Sequence, residues 1–159
     1  MIVEKSIARM ITLLARKSQS YIGSALGKYS LSAAEQPFFM AIQHHEGITQ
    51  EELTALVCVD KAATARAVKS LEEKGFLVRL QDTQDRRQNR IYPTAAAKHL
   101  ADAVRGELLH FNELLTKGID SEDLEMMYKA LQKMDENLAA ILRAKAGESA
   151  GGQGNGTGE

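Results

Sequence analysis

The sequence predicts a mostly helical chain with one small β-hairpin: a winged helix-turn-helix flanked by long terminal helices. Three observations carry this expectation. Two short helical stretches, each opened by an N-cap residue, stand close together between residues 49 and 74. A glycine, two short β-prone runs and an arginine-rich turn follow over residues 75–92. Apolar stripes at helical spacing occupy both ends of the chain.

The elements follow in order. Ile7, Ile11, Leu14, Ser18, Tyr21 and Ala25 keep the 4-3-4-3-4 spacing of one helix face, which predicts a first helix over about 3–28. Leu31-Ser32 is a break with Ser32 a cap, and AAEQPFFMAIQHH makes a second helix to His45, with Pro37 tolerated near its first turn. Thr49 with Glu52 is a capping box that opens a short helix bearing Leu53, Leu56 and Val57. Asp60 caps the next helix, 61–74, and Gly75 stops it. FLVRL and RIY are strands around the loop DTQDRRQN. Thr94 caps a fifth helix over 95–117, with Leu100, Val104, Leu108, Phe111 and Leu115 on one stripe. Asp120 or Ser121 caps a sixth, in which Leu124, Met127, Leu131, Met134, Leu138 and Ile141 form a heptad-like seam. These terminal helices exceed what a small winged lobe needs, so a two-fold dimer is expected. The domain therefore spans 1–145: helices 3–28 and 95–145 for dimerisation, and the winged lobe at 32–93. Residues 146–159, AGESAGGQGNGTGE, read as a disordered Gly-rich tail.

Composition narrows the function. The chain has 159 residues, 44% of them apolar, enough for one packed domain. No apolar run approaches the roughly 18 residues of a membrane span. The start, MIVEKSIARM, is too charged for a signal peptide. A single cysteine, Cys58, excludes an internal disulfide and suits a reducing cytoplasm. There is no Gly-rich phosphate loop, no Ser-His-Asp grouping and no H-E-x-x-H, so neither an enzyme nor a cofactor is expected. The net charge of −1 hides an asymmetry: residues 60–98 carry 9 basic and 5 acidic side chains, residues 99–159 carry 6 and 11. A positive middle beside an acidic end points to a polyanion partner.

With Leu71 at the centre of the buried side of helix 61–74, Val68, Ala67 and Thr64 turn inward at 100° per residue. Ala62, Ala65, Arg66, Lys69 and Glu73 turn outward. Alanines can meet thymine methyls, Arg66 can reach guanine or phosphate, and Lys61 in the first turn suits phosphate. A solvated charged face is the plainer reading of such a helix. The hairpin tip favours DNA, because Arg86, Arg87 and Arg90 crowd within five residues, with Arg79 on the strand before. Arginines at a wing tip suit a narrow minor groove, and Asp82 and Asp85 among them can aim the guanidinium groups.

The runs ITQEEL (48–53), VDKAATARAVKSLEEKGFLVR (59–79) and DTQDRRQNRIYPT (82–94) resemble the multiple antibiotic resistance regulator (MarR) family over roughly residues 5–145. The resemblance implies a homodimer with winged-helix lobes on double-stranded, pseudo-palindromic DNA. It implies repression released by a small molecule or an oxidant. It places Lys61, Arg66 and Lys69 on the recognition helix and matches Asp85 and Arg87 to the wing's Asp and Arg. The chain departs from the family in having alanines at 62, 63 and 65, where Ser or Thr is frequent, and Thr64 where an aliphatic is frequent. After the wing it has YPTAAAK, without the capping-box Glu.

Three triggers are open. The first is a small, partly apolar ligand in a cleft between the dimer helices and the lobe. The second is oxidation of Cys58, which its apolar neighbours instead suggest is a buried small hydrophobe. The third is a metal held by His44, His45, Glu107 and His110 if their helices meet. A winged module that binds protein rather than DNA is the remaining alternative.

Overall fold

The computed structural model describes residues 6–151. Contacts divide the chain into two compact units, 1–112 and 113–159. In the first unit, α1 (Ile7–Leu26) leads through a 3-10 turn (Gly27–Tyr29) to α2 (Gln36–His44). Then come β1 (Ile48–Thr49), α3 (Gln50–Val57), α4 (Lys61–Glu73), β2 (Leu77–Gln81), β3 (Asn89–Pro93) and α5 (Ala95–Thr116), whose last turn enters the second unit. That unit is otherwise α6 (Ser121–Gly151).

Local chemistry explains most boundaries. The Ser6 hydroxyl accepts from the Arg9 amide, so α1 starts at Ile7; residues 3–5 of the predicted helix lie outside the described residues. Ser32 does act as a cap, but on the turn before α2: its hydroxyl accepts from the Glu35 amide while the Glu35 carboxylate accepts from the Ser32 amide. The helix itself opens only at Gln36, later than expected. Thr49 and Glu52 form the predicted capping box on α3. Asp60 caps α4 through the Ala63 amide at 2.7 Å. At the other end of α4, Gly75 has φ +75°, with Gly75 N–H donating to Glu72 and Phe76 N–H to Leu71. This double closure needs a left-handed residue and takes Phe76 out of the strand, so β2 begins at Leu77. The Thr94 hydroxyl accepts from the Ala97 amide and caps α5.

The sheet has three antiparallel strands in the order β1-β3-β2. Ile48 pairs with Ile91 and Thr49 with Arg90, while Leu77 to Gln81 pair with Pro93 to Asn89. The hairpin is as predicted; β1 was not expected. Beneath it sits a core of Leu26, Phe39, Ile42, Leu53, Val68, Leu71, Leu77 and Ile91, all buried. Phe39 meets Phe76 edge to face at 5.6 Å. Ala97 and Val104 of α5 join this core, and Phe111 stacks on Tyr21 of α1 at 5.0 Å.

One predicted boundary changes. α6 runs to Gly151, so the Gly-rich tail does not begin at 146. The alanines at 144 and 146 favour helix enough to carry it past the first glycine. The remaining tail, 152–159, lies outside the described residues. Leu56 is 48% exposed, because among the apolar residues of α3 only Leu53 and Val57 turn toward the core.

Candidate nucleic-acid interface

α3, a short turn and α4 form the helix-turn-helix. The turn is made at Cys58, which caps α3 with φ +57°. That left-handed conformation swings its side chain into solvent, so Cys58 is exposed, not buried as its apolar neighbours suggested. α4 buries the predicted stripe of Thr64, Ala67, Val68 and Leu71. Thr64 is wholly buried yet satisfied: its hydroxyl bonds the Thr54 hydroxyl at 2.9 Å and the Asp60 carbonyl at 3.1 Å. Lys61, Ala62, Ala65, Arg66 and Lys69 all face solvent, as the helical spacing required. Lys69 lies 3.9 Å from Glu73, a solvent-exposed pair too weak to immobilise it.

The wing is shaped by its acids. Asp82 Oδ1 accepts from the Gln84 amide at 2.8 Å, and Asp85 Oδ1 from the Arg87 amide at 3.0 Å. The Gln81 side-chain amide donates to the Arg86 carbonyl at 2.6 Å, and the Asp82 amide to the Gln88 carbonyl at 2.9 Å. The amide of Gln84 and the guanidinium of Arg90 lower the carboxyl pKa of Asp82. Asp85, Arg86 and Arg87 are exposed, and neither guanidinium bonds another group among the described residues. Arg90 differs from them. It sits half-buried on β3, pairs with Asp82 and donates to the Gly47 carbonyl at 2.9 Å. It ties the wing to the turn before β1, while the tip arginines stay free. Arg79 is likewise engaged, with Glu72 at 3.0 Å.

Sequence reasoning missed one buried ionic group. Glu35 is 5% exposed, and its carboxylate accepts from Ser32, from the Ser70 hydroxyl and, at 2.7 Å on both oxygens, from Lys74. Burial opposes its ionisation, but the bonds from Lys74, Ser70 and Ser32 outweigh that and hold the carboxyl at about 2. A folded pKa below the ordinary 4.5 means this contribution to stability is complete above 4.5 and is lost as pH falls toward about 2. Urea midpoints taken at about pH 6 and about pH 3 should therefore fall more in the wild type than in Glu35→Gln, which lacks the titrating group. Equal falls would show that Glu35 titrates normally.

Beside this group, a pocket of about 360 Å³ opens between α1, α2 and α4, with Gln19, Phe38, Val59, Ala63 and Arg66 among its walls. The metal candidates do not assemble. Glu107 is engaged by Lys28, and among the described residues no three His, Cys, Asp or Glu side chains converge as a metal site.

Comparison with known proteins agrees with the fold. The MarR family model matches residues 39–88. The HTH-type transcriptional regulator YybA of Bacillus subtilis (strain 168) is 30% identical over 132 residues, covering 83% of this chain and 88% of YybA. A MarR transcriptional regulator from Methanosarcina mazei Go1 is 31% identical with a TM-score of 0.79, over 85% of this chain and 97% of its own. A MarR family regulator from Listeria monocytogenes, solved with a 26mer DNA, is 26% identical with a TM-score of 0.82, over 98% and 99% of the two chains. No helix among the described residues is long and apolar enough to cross a membrane. Sequence, fold and relatives agree that this chain belongs to the MarR family and is a transcriptional regulator.

Proposed function

We propose that the chain is a homodimeric, sequence-specific DNA-binding repressor that a small molecule releases. The observation that carries this reading is the coexistence, on one lobe, of an outward basic face of α4 and a wing whose tip arginines have no partner among the described residues. Lys61, Ala62, Ala65, Arg66 and Lys69 enter the major groove, and the wing at Asp85, Arg86 and Arg87 reaches the adjacent minor groove. Arg90 serves by holding the wing in place. The DNA complex of the Listeria monocytogenes relative supports this use of the fold.

The dimer rests on uncovered apolar surface. On α1, Ile7 is 56% and Met10 57% exposed; along α6, Met127, Leu131, Leu138 and Ile141 of the predicted seam are also exposed. A second copy covers such faces with self-complementary contacts. The terminal helices thus form the dimerisation region, and residues 32–93 form the lobe. The partly apolar pocket beneath α4 suits a small ligand whose binding shifts the recognition helix. The working compartment is the cytoplasm, where the DNA is.

A salt titration on duplex DNA from upstream of the chain's own coding region, against a scrambled duplex, tests the reading. The expected result is a preference of roughly 10³ or more and affinity that falls steeply with salt. Weak, equal binding to a pool of random duplexes as well as to both of these would overturn it.

A further inference from the structure

We infer that Glu35 is a positioning residue for DNA reading, clamping the C-terminal half of the recognition helix to the turn that precedes α2. The inference rests on the DNA-reading role assigned to α4 above. α4 packs on the core through an apolar stripe, Ala67, Val68 and Leu71. Such contacts are non-directional and resist a small rotation or slide of a helix weakly. Besides the exposed Glu72–Arg79 pair, buried directional contacts fix it at both ends. Toward its N-terminus the buried Thr64 hydroxyl bonds Thr54 of α3. Toward its C-terminus Ser70 and Lys74 both donate to Glu35, a carboxylate 35 and 39 residues away in sequence. Glu35 is itself held by the Ser32 amide and hydroxyl, each at 2.8 Å, so the anchor cannot swing. Ser70 follows Lys69 and lies one turn beyond Arg66, so the clamp sets the angle at which those two cations leave the lobe. Ser70 and Glu35 also line the pocket beneath α4, which puts the clamp within reach of whatever fills it.

The test uses the full chain as wild type, Glu35→Gln, Ser70→Ala, Lys74→Met and the Glu35→Gln/Lys74→Met pair. The probe is a duplex enriched from a random-sequence pool by the wild type, and the reference is the unselected pool. Binding is measured where thermal melts show every variant folded. The expected readout is the specificity ratio between the two DNAs. It falls about tenfold in Glu35→Gln and less in Ser70→Ala, and the double variant is no worse than the worse single one. A role in stability alone would lower binding to both DNAs together and leave the ratio within about twofold. That result, or strictly additive losses in the pair, overturns the proposal. If the wild type enriches no duplex at all, the DNA-reading role itself fails and this inference falls with it, an outcome distinct from an unchanged ratio.

Discussion

Replacing Arg86 and Arg87 together with alanine is expected to lower affinity for the operator about 10²- to 10³-fold and to leave the fold unchanged. Both residues are exposed at the tip, and their guanidinium groups bond nothing among the described residues. Asp82 and Asp85 hold the loop through backbone amides, and those bonds survive truncation of the arginines. The whole effect therefore falls on the DNA complex. Each cation that meets phosphate contributes about 0.9 to the slope of log affinity against log salt, so the double variant should lose up to about two from that slope. Anisotropy titrations at several salt concentrations give both quantities. If affinity and slope stay at wild-type values, the wing does not touch DNA, and a winged lobe that binds protein becomes the better reading. Arg90→Ala should behave differently, because its guanidinium holds Asp82 and the Gly47 carbonyl together. It frees the wing from its mount and weakens binding by loosening geometry.

The largest effect on stability is expected at Phe39. Its ring is 2% exposed near the centre of α2 and meets Phe76 edge to face, at 5.6 Å and 83°. Phe39→Ala removes the ring's buried area, opens a cavity and leaves Phe76 without its aromatic partner. Such truncations cost about 3–5 kcal/mol, a large part of the roughly 5–15 kcal/mol that holds a domain together. Phe76 leads directly into β2, so the loss is felt at the root of the wing as well as in the core. Urea unfolding at one fixed protein concentration measures it. A loss under about 1 kcal/mol would mean that the cavity collapses or that the ring is not packed as described.

What was legible in the sequence was local. Caps at Thr49, Asp60 and Thr94 bond amides three residues on, and the faces of α4 follow from 100° per residue. What was hidden depended on distant partners. β1 is two residues long and exists only because Ile91 and Arg90 lie beside it, more than forty positions away. Ser32 was visible as a cap, and Glu35 completes its S-x-x-E spacing, but the spacing does not reveal that the same carboxylate reaches across to Ser70 and Lys74. Arg90 looked like its neighbours in an arginine cluster, yet its strand register places it against Asp82 and Gly47. Cys58 looked buried because its neighbours are apolar, and a single left-handed residue reversed that.

The hydrogen bonds described for residues 82–88 all close within residues 81–90. Apart from the tie that runs from Asp82 through Arg90 to the Gly47 carbonyl, the tip is therefore a self-contained cassette mounted on one strand pair. Its length and charge can drift, or be exchanged for a relative's tip, without disturbing the lobe beneath. On the proposed DNA-reading role, reach into the groove and the identity of the helix that reads it can then be inherited, and engineered, separately.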